Sequence, residues 1–169
     1  KDVERLSVIT ERFSKVGSLP ELQEYDLVKA TEDALMYLKK RSSQLIEWNW
    51  ELPQKKILIP INLSLYNWTL ENLIKNGIDA MKGQGKLTLE LLELEKKVLI
   101  RISDSGSGIS PKNIKRIFSP GFTTKQRGWG LGLSLVRRII VDYHQGNIVV
   151  LKTELGKGTS FQISLKKST

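Results

Sequence analysis

The sequence predicts one helix with an unusual polar face, and this helix is its most informative feature. The segment 68–81 reads WTLENLIKNGIDAM and places Asn72, Asn76 and Asp79 at positions i, i+4 and i+7. Residues at this spacing share one face of a helix. A carboxamide oxygen is a neutral ligand that suits a hard ion such as magnesium. Asparagines are most often plain surface residues. Here the apolar residues between them indicate a packed helix whose polar face meets a ligand.

Composition narrows the class of protein. The 169 residues contain no cysteine and a single histidine, His144, so thiol chemistry, cysteine zinc sites and histidine-rich metal sites are excluded. No apolar run is long enough to span a bilayer. The net charge of +9 indicates a lysine-rich, solvated surface. Nucleic acid is not expected as a main ligand, because no docking motif or aromatic–basic stripe occurs.

Apolar periodicity predicts an α+β fold, because the strands mostly come in adjacent pairs. The last two strands are predicted to form a hairpin around Gly156-Lys157-Gly158, and Asn62 is predicted to cap the polar-faced helix. The predicted helices are 1–16, 27–41, 62–82 and 130–144, and the predicted strands are 21–26, 46–52, 57–61, 87–94, 98–103, 147–153 and 159–166.

Two glycine-rich segments follow the polar-faced helix. In DSGSGI, 104–109, Asp104 ends a strand and can accept a hydrogen bond from an exocyclic amine, while Gly106 and Gly108 permit tight turns close to a flat ring. GWGLGL, 128–133, opens a helix whose amides can hold phosphate oxygens. Each segment alone is equally consistent with a simple turn or helix cap. Neither a P-loop nor a dinucleotide fingerprint is present.

A long segment, 109–127, separates the two glycine-rich motifs. Loops of this length inside a compact domain are usually lids or binding loops. We expect Phe118 and Phe122 to pin it to the domain. The alternative is a solvated charged loop. Five cations could neutralise a triphosphate, and they are Lys112, Lys115, Arg116, Lys125 and Arg127.

The order and spacing of NLIKNGIDAM, DSGSGI, IFSPGFTTK and GWGLGL resemble the ATP-binding domain of sensor histidine kinases, where they match the N, G1, F and G2 boxes. The resemblance covers about residues 20–166. It implies the Bergerat (GHKL) fold, a two-layer α/β sandwich with a mixed sheet and helices on one face. It also divides the chain into the end of a dimerisation hairpin, 1–19, and a catalytic domain, 20–169.

The resemblance implies ATP and Mg²⁺ as ligands and a role for each site residue. Asn76 would bind magnesium, Asn72 would lie beside the triphosphate, Asp104 would read the adenine amine, and Thr159 would assist through a water. Lys125 would meet the terminal phosphate, and it joins Asn72 and Asn76 as the implied catalytic set. The remaining nucleotide-site residues implied are Asp79, Ala80, Gly106, Gly108, Ile109, Phe118, Thr123, Thr124, Gly128, Gly130, Leu131, Gly132 and Leu133.

The residue at position 72 bears on the reaction. Related ATPases place a glutamate four residues before the magnesium asparagine to activate water, and this chain has Asn72 there. An amide cannot act as a general base. Glu71 is adjacent in sequence but lies about 100° around the helix. The sequence therefore favours phosphoryl transfer to a protein over hydrolysis.

The resemblance further implies an acceptor histidine on a dimerisation helix absent from this chain, so that His144 is not the acceptor. The implied partners are the protein's own dimerisation helices and a response regulator, in a full-length homodimer. The domain is expected to be cytoplasmic, and an upstream membrane anchor is possible. The alternatives are a GHKL-type ATPase, a protein-serine kinase, or a non-catalytic nucleotide-sensing interaction module.

Overall fold

The computed structural model of the chain describes residues 19–122 and 132–168. The predicted helix 1–16, and with it the proposed domain division, lies outside the described residues. The strands are β1 (Gln23–Asp26), β2 (Ile46–Glu51), β3 (Leu58–Ile61), β4 (Gly85–Glu93), β5 (Lys97–Asp104), β6 (Asn147–Glu154) and β7 (Gly158–Lys166). The helices are α1 (Leu27–Arg41), α2 (Leu63–Ala80) and α3 (Gly132–Arg138), the last continued by a π-helical turn, Ile139–Tyr143.

Five strands form one mixed sheet in the order β2-β4-β5-β7-β6. β2 runs parallel to β4, and the other neighbours are antiparallel. β1 and β3 form a separate antiparallel pair. This arrangement confirms the predicted α+β class and the mixed sheet.

Strand alternation places the core on one face of the sheet. Leu87, Leu89 and Leu91 of β4 are buried, whereas the intervening Thr88 and Glu90 are partly exposed. α1, α2 and α3 contribute their apolar residues to the same core, which confirms that the helices cover one face. The other buried strand residues facing that core include Val98, Ile100, Ile102, Phe161, Ile163 and Leu165.

α2, the helix with the polar face, begins and ends where local chemistry requires. The Asn62 side chain accepts a hydrogen bond from the Leu65 amide at 3.1 Å, which caps the helix as predicted. At the other end Lys82 and Gly83 both have positive φ, 55° and 78°, so the helix stops at Ala80. No helix in the described ranges is long and apolar enough to cross a membrane.

Two segments differ in detail from the sequence prediction. The end of the last predicted helix is π-helical, because the His144 amide and ring Nδ1 both bond the Ile139 carbonyl, five residues back, at 3.0 and 2.9 Å. Residues 110–122 are a succession of turns rather than an open loop. In each turn an amide donates a hydrogen bond to the carbonyl three residues earlier, for example from Arg116 to Asn113 at 2.9 Å.

Candidate functional site

The middle of α2 meets the start of α3. A Cβ added at Gly132 would lie 3.3 Å from Oδ1 of Asn72. The Asn72 Nδ2 donates to the Trp68 carbonyl at 3.0 Å, one turn back on the same helix. The carboxamide is therefore oriented with its oxygen towards the α3 N-terminus, and the structure brings these two sequence-predicted residues together.

Asp104 reaches α2 from the end of β5. A Cβ at Gly77 would lie 3.2 Å from the Asp104 Cβ and 3.4 Å from its Oδ2, so the glycine makes room for the carboxylate. Burial raises the pKa of the Asp104 carboxyl, and hydrogen bonds from the Gly106 and Thr159 amides partly oppose that rise. The carboxylate is thus a half-buried acceptor, fixed in part by the Gly106 amide at 2.8 Å.

The loop 105–109 packs against the C-terminal end of α2. The Ser107 amide donates to the Ala80 carbonyl at 3.1 Å. A Cβ at Gly106 would approach that carbonyl oxygen to 2.7 Å, which no ordinary side chain tolerates. Gly108 has a φ of +75°, and a Cβ there would lie 2.2 Å from the Glu154 carbonyl oxygen. Both glycines are therefore required by close backbone approach.

Thr159 lies beside Asp104, its register partner across β5 and β7. It is buried, and its Oγ1 lies 2.9 Å from the hydroxyl of Thr153 on β6. The Thr153 hydroxyl also accepts from the Ile109 amide at 2.9 Å. Sequence reasoning missed Thr153. The signal was the predicted hairpin, because two residues flanking its turn face each other on adjacent strands.

Phe118 holds the segment 110–122 against the sheet. Its ring packs edge-on against Phe161 of β7, with the centroids 6.3 Å apart. Ile117 is buried in the same region, and Phe122 lies beside the Arg116 guanidinium, 5.3 Å from its ring centroid. Both phenylalanines are partly buried against the core, as expected of residues that anchor this segment. Ile109 and Leu133 are partly buried against the same core.

Asn76 and Asp79 continue the polar face of α2. Asn76 is half-buried and Asp79 is exposed. The described residues contain no group of three or more histidine and acidic side chains that could hold a metal by themselves. This donor set fits magnesium that arrives with a triphosphate, because Mg²⁺ takes few protein ligands and completes its shell with phosphates and water.

Six residues that the sequence assigned to the nucleotide site lie outside the described residues. They are Thr123, Thr124, Lys125, Gly128, Gly130 and Leu131.

Glu71 lies away from the polar face. It lines a groove of about 580 Å³ between α1 and α2, together with Asp33 and Asn67. This groove contains none of the residues around Asp104 and Asn72. The carboxylate adjacent to Asn72 in sequence therefore faces a different surface.

His144 is buried, and both of its ring nitrogens are engaged. Nε2 accepts from the Asn62 amide at 3.0 Å, so Nδ1 carries the proton and donates to the Ile139 carbonyl at 2.9 Å. Burial lowers the pKa of His144. The residue is a neutral structural bridge between the π-helical turn and the first residue of the α2 cap.

The candidate site thus joins α2 to the end of β5 and the start of α3, within a mixed sheet covered on one face by helices. A family model described as histidine kinase-, DNA gyrase B-, and HSP90-like ATPase matches residues 66–169. The chain belongs to this family.

The chain is similar in sequence to bacterial proteins that are named as kinases. Sporulation kinase E of Bacillus subtilis is 32% identical over an alignment that covers 94% of this chain and 23% of that protein. The sensor histidine kinase ZraS of Salmonella typhi is 46% identical over 97 residues, 57% of this chain and 20% of that protein. The chain thus spans about a quarter or less of the length of these relatives.

Solved structures of a histidine kinase share the fold of this chain. The nucleotide-free catalytic domain of histidine kinase ThkA superposes with a TM-score of 0.78 at 29% identity, covering 87% of this chain and 96% of that one. ThkA in complex with the response regulator TrrA superposes with a TM-score of 0.80 at 27% identity, covering 99% of this chain and 48% of that one.

Proposed function

We propose that this chain is the ATP-binding catalytic domain of a two-component sensor histidine kinase. It would bind ATP with Mg²⁺ and transfer the terminal phosphoryl group to a histidine on a dimerisation helix. Two contacts of α2 carry this proposal: Asn72 meets Gly132 at the start of α3, and Gly77, further along the helix, meets Asp104 at the end of β5. These contacts bring together residues that lie up to 60 positions apart in the sequence.

We propose that different parts of α2 bind different parts of the nucleotide. Near its C-terminal end, Asp104 and the loop 105–109 would bind the base, with the carboxylate accepting from the exocyclic amine of adenine. One and two turns earlier, Asn76 and Asn72 would face the phosphates. Asn76 would provide an oxygen ligand for magnesium, which would neutralise charge on the triphosphate.

The other proposed contacts rest on the start of α3, on Phe118 and, for the residues outside the described ranges, on the sequence motifs alone. The amides of Gly132 and Leu133, at the start of α3, would help to hold phosphate oxygens, and Phe118 would keep the covering segment against β7. Lys125 is proposed as the cation on the terminal phosphate. Thr123, Thr124, Gly128, Gly130 and Leu131 are proposed to complete the pocket.

Transfer is favoured over hydrolysis because Asn72 stands at the position where related ATPases carry the glutamate that activates water. Asn72 carries an amide, and its Nδ2 is bonded to the Trp68 carbonyl. Glu71 lines the groove between α1 and α2. With an amide at that position, catalysis would rest on positioning and charge neutralisation.

The acceptor histidine must lie outside these 169 residues, because His144 is their single histidine and both its nitrogens are engaged. We propose that the protein's dimerisation helices present the acceptor in a homodimer, and that residues 1–19 belong to them. The complex of ThkA with its response regulator supports a response regulator as the next recipient. A cytoplasmic location for this domain follows from that partner.

Calorimetric titration of the chain with ATP, in magnesium and in EDTA, tests the binding step. We expect ATP to bind more tightly with magnesium, and Asn76→Ala to remove that difference by deleting the amide oxygen. Asn67→Ala is a matched control, because Asn67 is exposed on α2 and lines the groove between α1 and α2. The proposal fails if the wild-type chain does not bind ATP, or if Asn76→Ala keeps the magnesium effect.

A further inference from the structure

The hydroxyl of Thr153 joins three parts of the candidate site. It lies 2.9 Å from the Ile109 amide nitrogen, 2.9 Å from Oγ1 of Thr159 and 3.3 Å from the Gly158 carbonyl oxygen. Thr153 sits on β6 directly across from Thr159 on β7. A side chain on one strand thus contacts both the loop 105–109 and the strand that flanks Asp104.

Counting protons limits how these bonds are arranged. The Ile109 amide can only donate, so the Thr153 oxygen accepts there. The single proton of Thr153 goes either to the Gly158 carbonyl or to Thr159. In the first case Thr159 donates to Thr153 and offers only lone pairs to a ligand. In the second case Thr159 keeps its own proton for a ligand. Thr153 therefore sets what Thr159 presents.

Further contacts fasten the same loop to the β6–β7 turn. The Gly156 amide donates to the Ser107 carbonyl at 2.8 Å. Gly108 lies so close that a Cβ there would be 2.2 Å from the Glu154 carbonyl oxygen. The loop that would face the base is held between the end of α2 and this turn, and Thr153 makes the side-chain bond of that attachment.

We propose that Thr153 is a positioning residue for adenine recognition. It holds the backbone at Ile109 in place and orients the Thr159 hydroxyl, and it does not itself contact the nucleotide. This inference rests on the proposed ATP site and adds to it a residue that governs selectivity for the base.

Thr153→Val keeps the shape of the side chain and removes the hydroxyl, which leaves the Ile109 amide without a partner. We expect the affinity for ATP to fall about tenfold, with a smaller loss for inorganic tripolyphosphate, which has no base. Selectivity for ATP over purine riboside triphosphate, which lacks the 6-amino group, should narrow. Amide exchange at Ile109 should become faster. Thr153→Ser keeps the hydroxyl and should restore all three properties.

Thr88→Val is the matched control, because Thr88 is a partly exposed strand residue of β4. If Thr153→Val does not fold, Thr153→Ala on the same edge strand serves in its place. Equal losses of affinity for ATP and for tripolyphosphate in Thr153→Val would overturn the positioning role. So would ATP affinity and selectivity that stay unchanged in both Thr153→Val and Thr153→Ala. A wild-type chain that binds no ATP would instead overturn the proposed function on which this inference rests.

Discussion

The ring of His144 accepts the backbone N–H of Asn62 through Nε2 at 3.0 Å. Asn62 caps α2, and His144 ends the π-helical turn that follows α3. This bond ties together the two helices whose other parts carry Asn72 and Gly132. The relative position of the two halves of the proposed phosphate site therefore depends on a neutral histidine.

Acid should weaken the fold through His144. Burial lowers its pKa below the usual value of about 6.5. Below that value the unfolded chain binds a proton that the folded chain does not, so the free energy of unfolding falls as the pH falls. We expect His144→Gln, whose amide oxygen can accept from Asn62 without titrating, to lose this dependence.

Urea unfolding of both proteins between pH 7.5 and 5.5 measures the effect. The chain has a single histidine, so the difference between wild type and variant isolates His144. Parallel pH profiles would contradict the neutral-bridge assignment.

A buried hydroxyl pair links α1 and α2. The Oγ1 of Thr31 and the Tyr66 hydroxyl are 2.6 Å apart, both side chains are fully buried, and burial raises the pKa of Tyr66. Thr31→Val leaves the Tyr66 hydroxyl without a partner and should lower the free energy of unfolding by about 1–3 kcal/mol. Adding Tyr66→Phe to Thr31→Val should cost less than Tyr66→Phe costs alone. Chemical denaturation would refute the pairing if the two costs simply add.

Two glycines of one turn should differ sharply in their tolerance of alanine. A Cβ at Gly158 would lie 1.9 Å from the Asp104 carbonyl oxygen, whereas a Cβ at Gly156 meets nothing within 4 Å. Both have positive φ, so Gly156→Ala should cost about 1–2 kcal/mol. Gly158→Ala must also displace β5 beside Asp104, so we expect a clearly larger loss of stability together with weaker ATP binding. Thermal unfolding and calorimetry compare the pair, and similar melting temperatures would contradict the geometry.

Asp104→Asn should weaken ATP binding with the fold intact. In either orientation the new NH₂ group faces a former hydrogen-bond donor, either the protein amides or the adenine amine. We expect a loss of about 100-fold in affinity. Asp33→Asn on α1, whose carboxylate is exposed and paired with Lys29, is the charge-matched control. Wild-type affinity in Asp104→Asn would remove the residue from the site.

Affinity should also fall in acid. Burial raises the pKa of Asp104, so its carboxylate takes up a proton at a higher pH than an exposed aspartate does. The protonated form no longer accepts fully from the adenine amine, and ATP should bind more weakly as the pH falls through that raised pKa. An affinity that is flat down to the ordinary pKa of aspartate would contradict this role.

Periodicity and turn chemistry were sufficient to predict most of the fold. Alternation in β4 and β5, the Asn62 cap and the glycines after α2 are local signals, and the elements within the described ranges lie near their predicted bounds. The π-helical turn was not predictable, because it depends on the ring of His144 bridging to Asn62, 82 positions away in sequence. Tertiary contacts of this kind override local propensity.

In the candidate site, too, the residues with a local sequence signal were predicted and a residue defined by tertiary contacts was not. Asn72, Asp104 and Gly132 stood out in sequence, because amides, a carboxylate and glycines at strand and helix ends are chemically distinctive. Thr153 was missed, since its importance lies in a cross-strand pairing with Thr159 and in a contact with Ile109. A threonine in a strand is ordinary in sequence and becomes informative only when its neighbours are known.

The fate of the terminal phosphate of ATP distinguishes the proposed transfer to a histidine from hydrolysis by water. We would incubate γ-labelled ATP and magnesium with this chain alone and with the longer kinase that we propose contains it, and follow both free phosphate and label on protein. We predict acid-labile phosphohistidine on the longer kinase, at a histidine other than His144, and neither label nor free phosphate above background from the chain alone. Steady release of phosphate by the chain alone, or label on His144, would contradict the account.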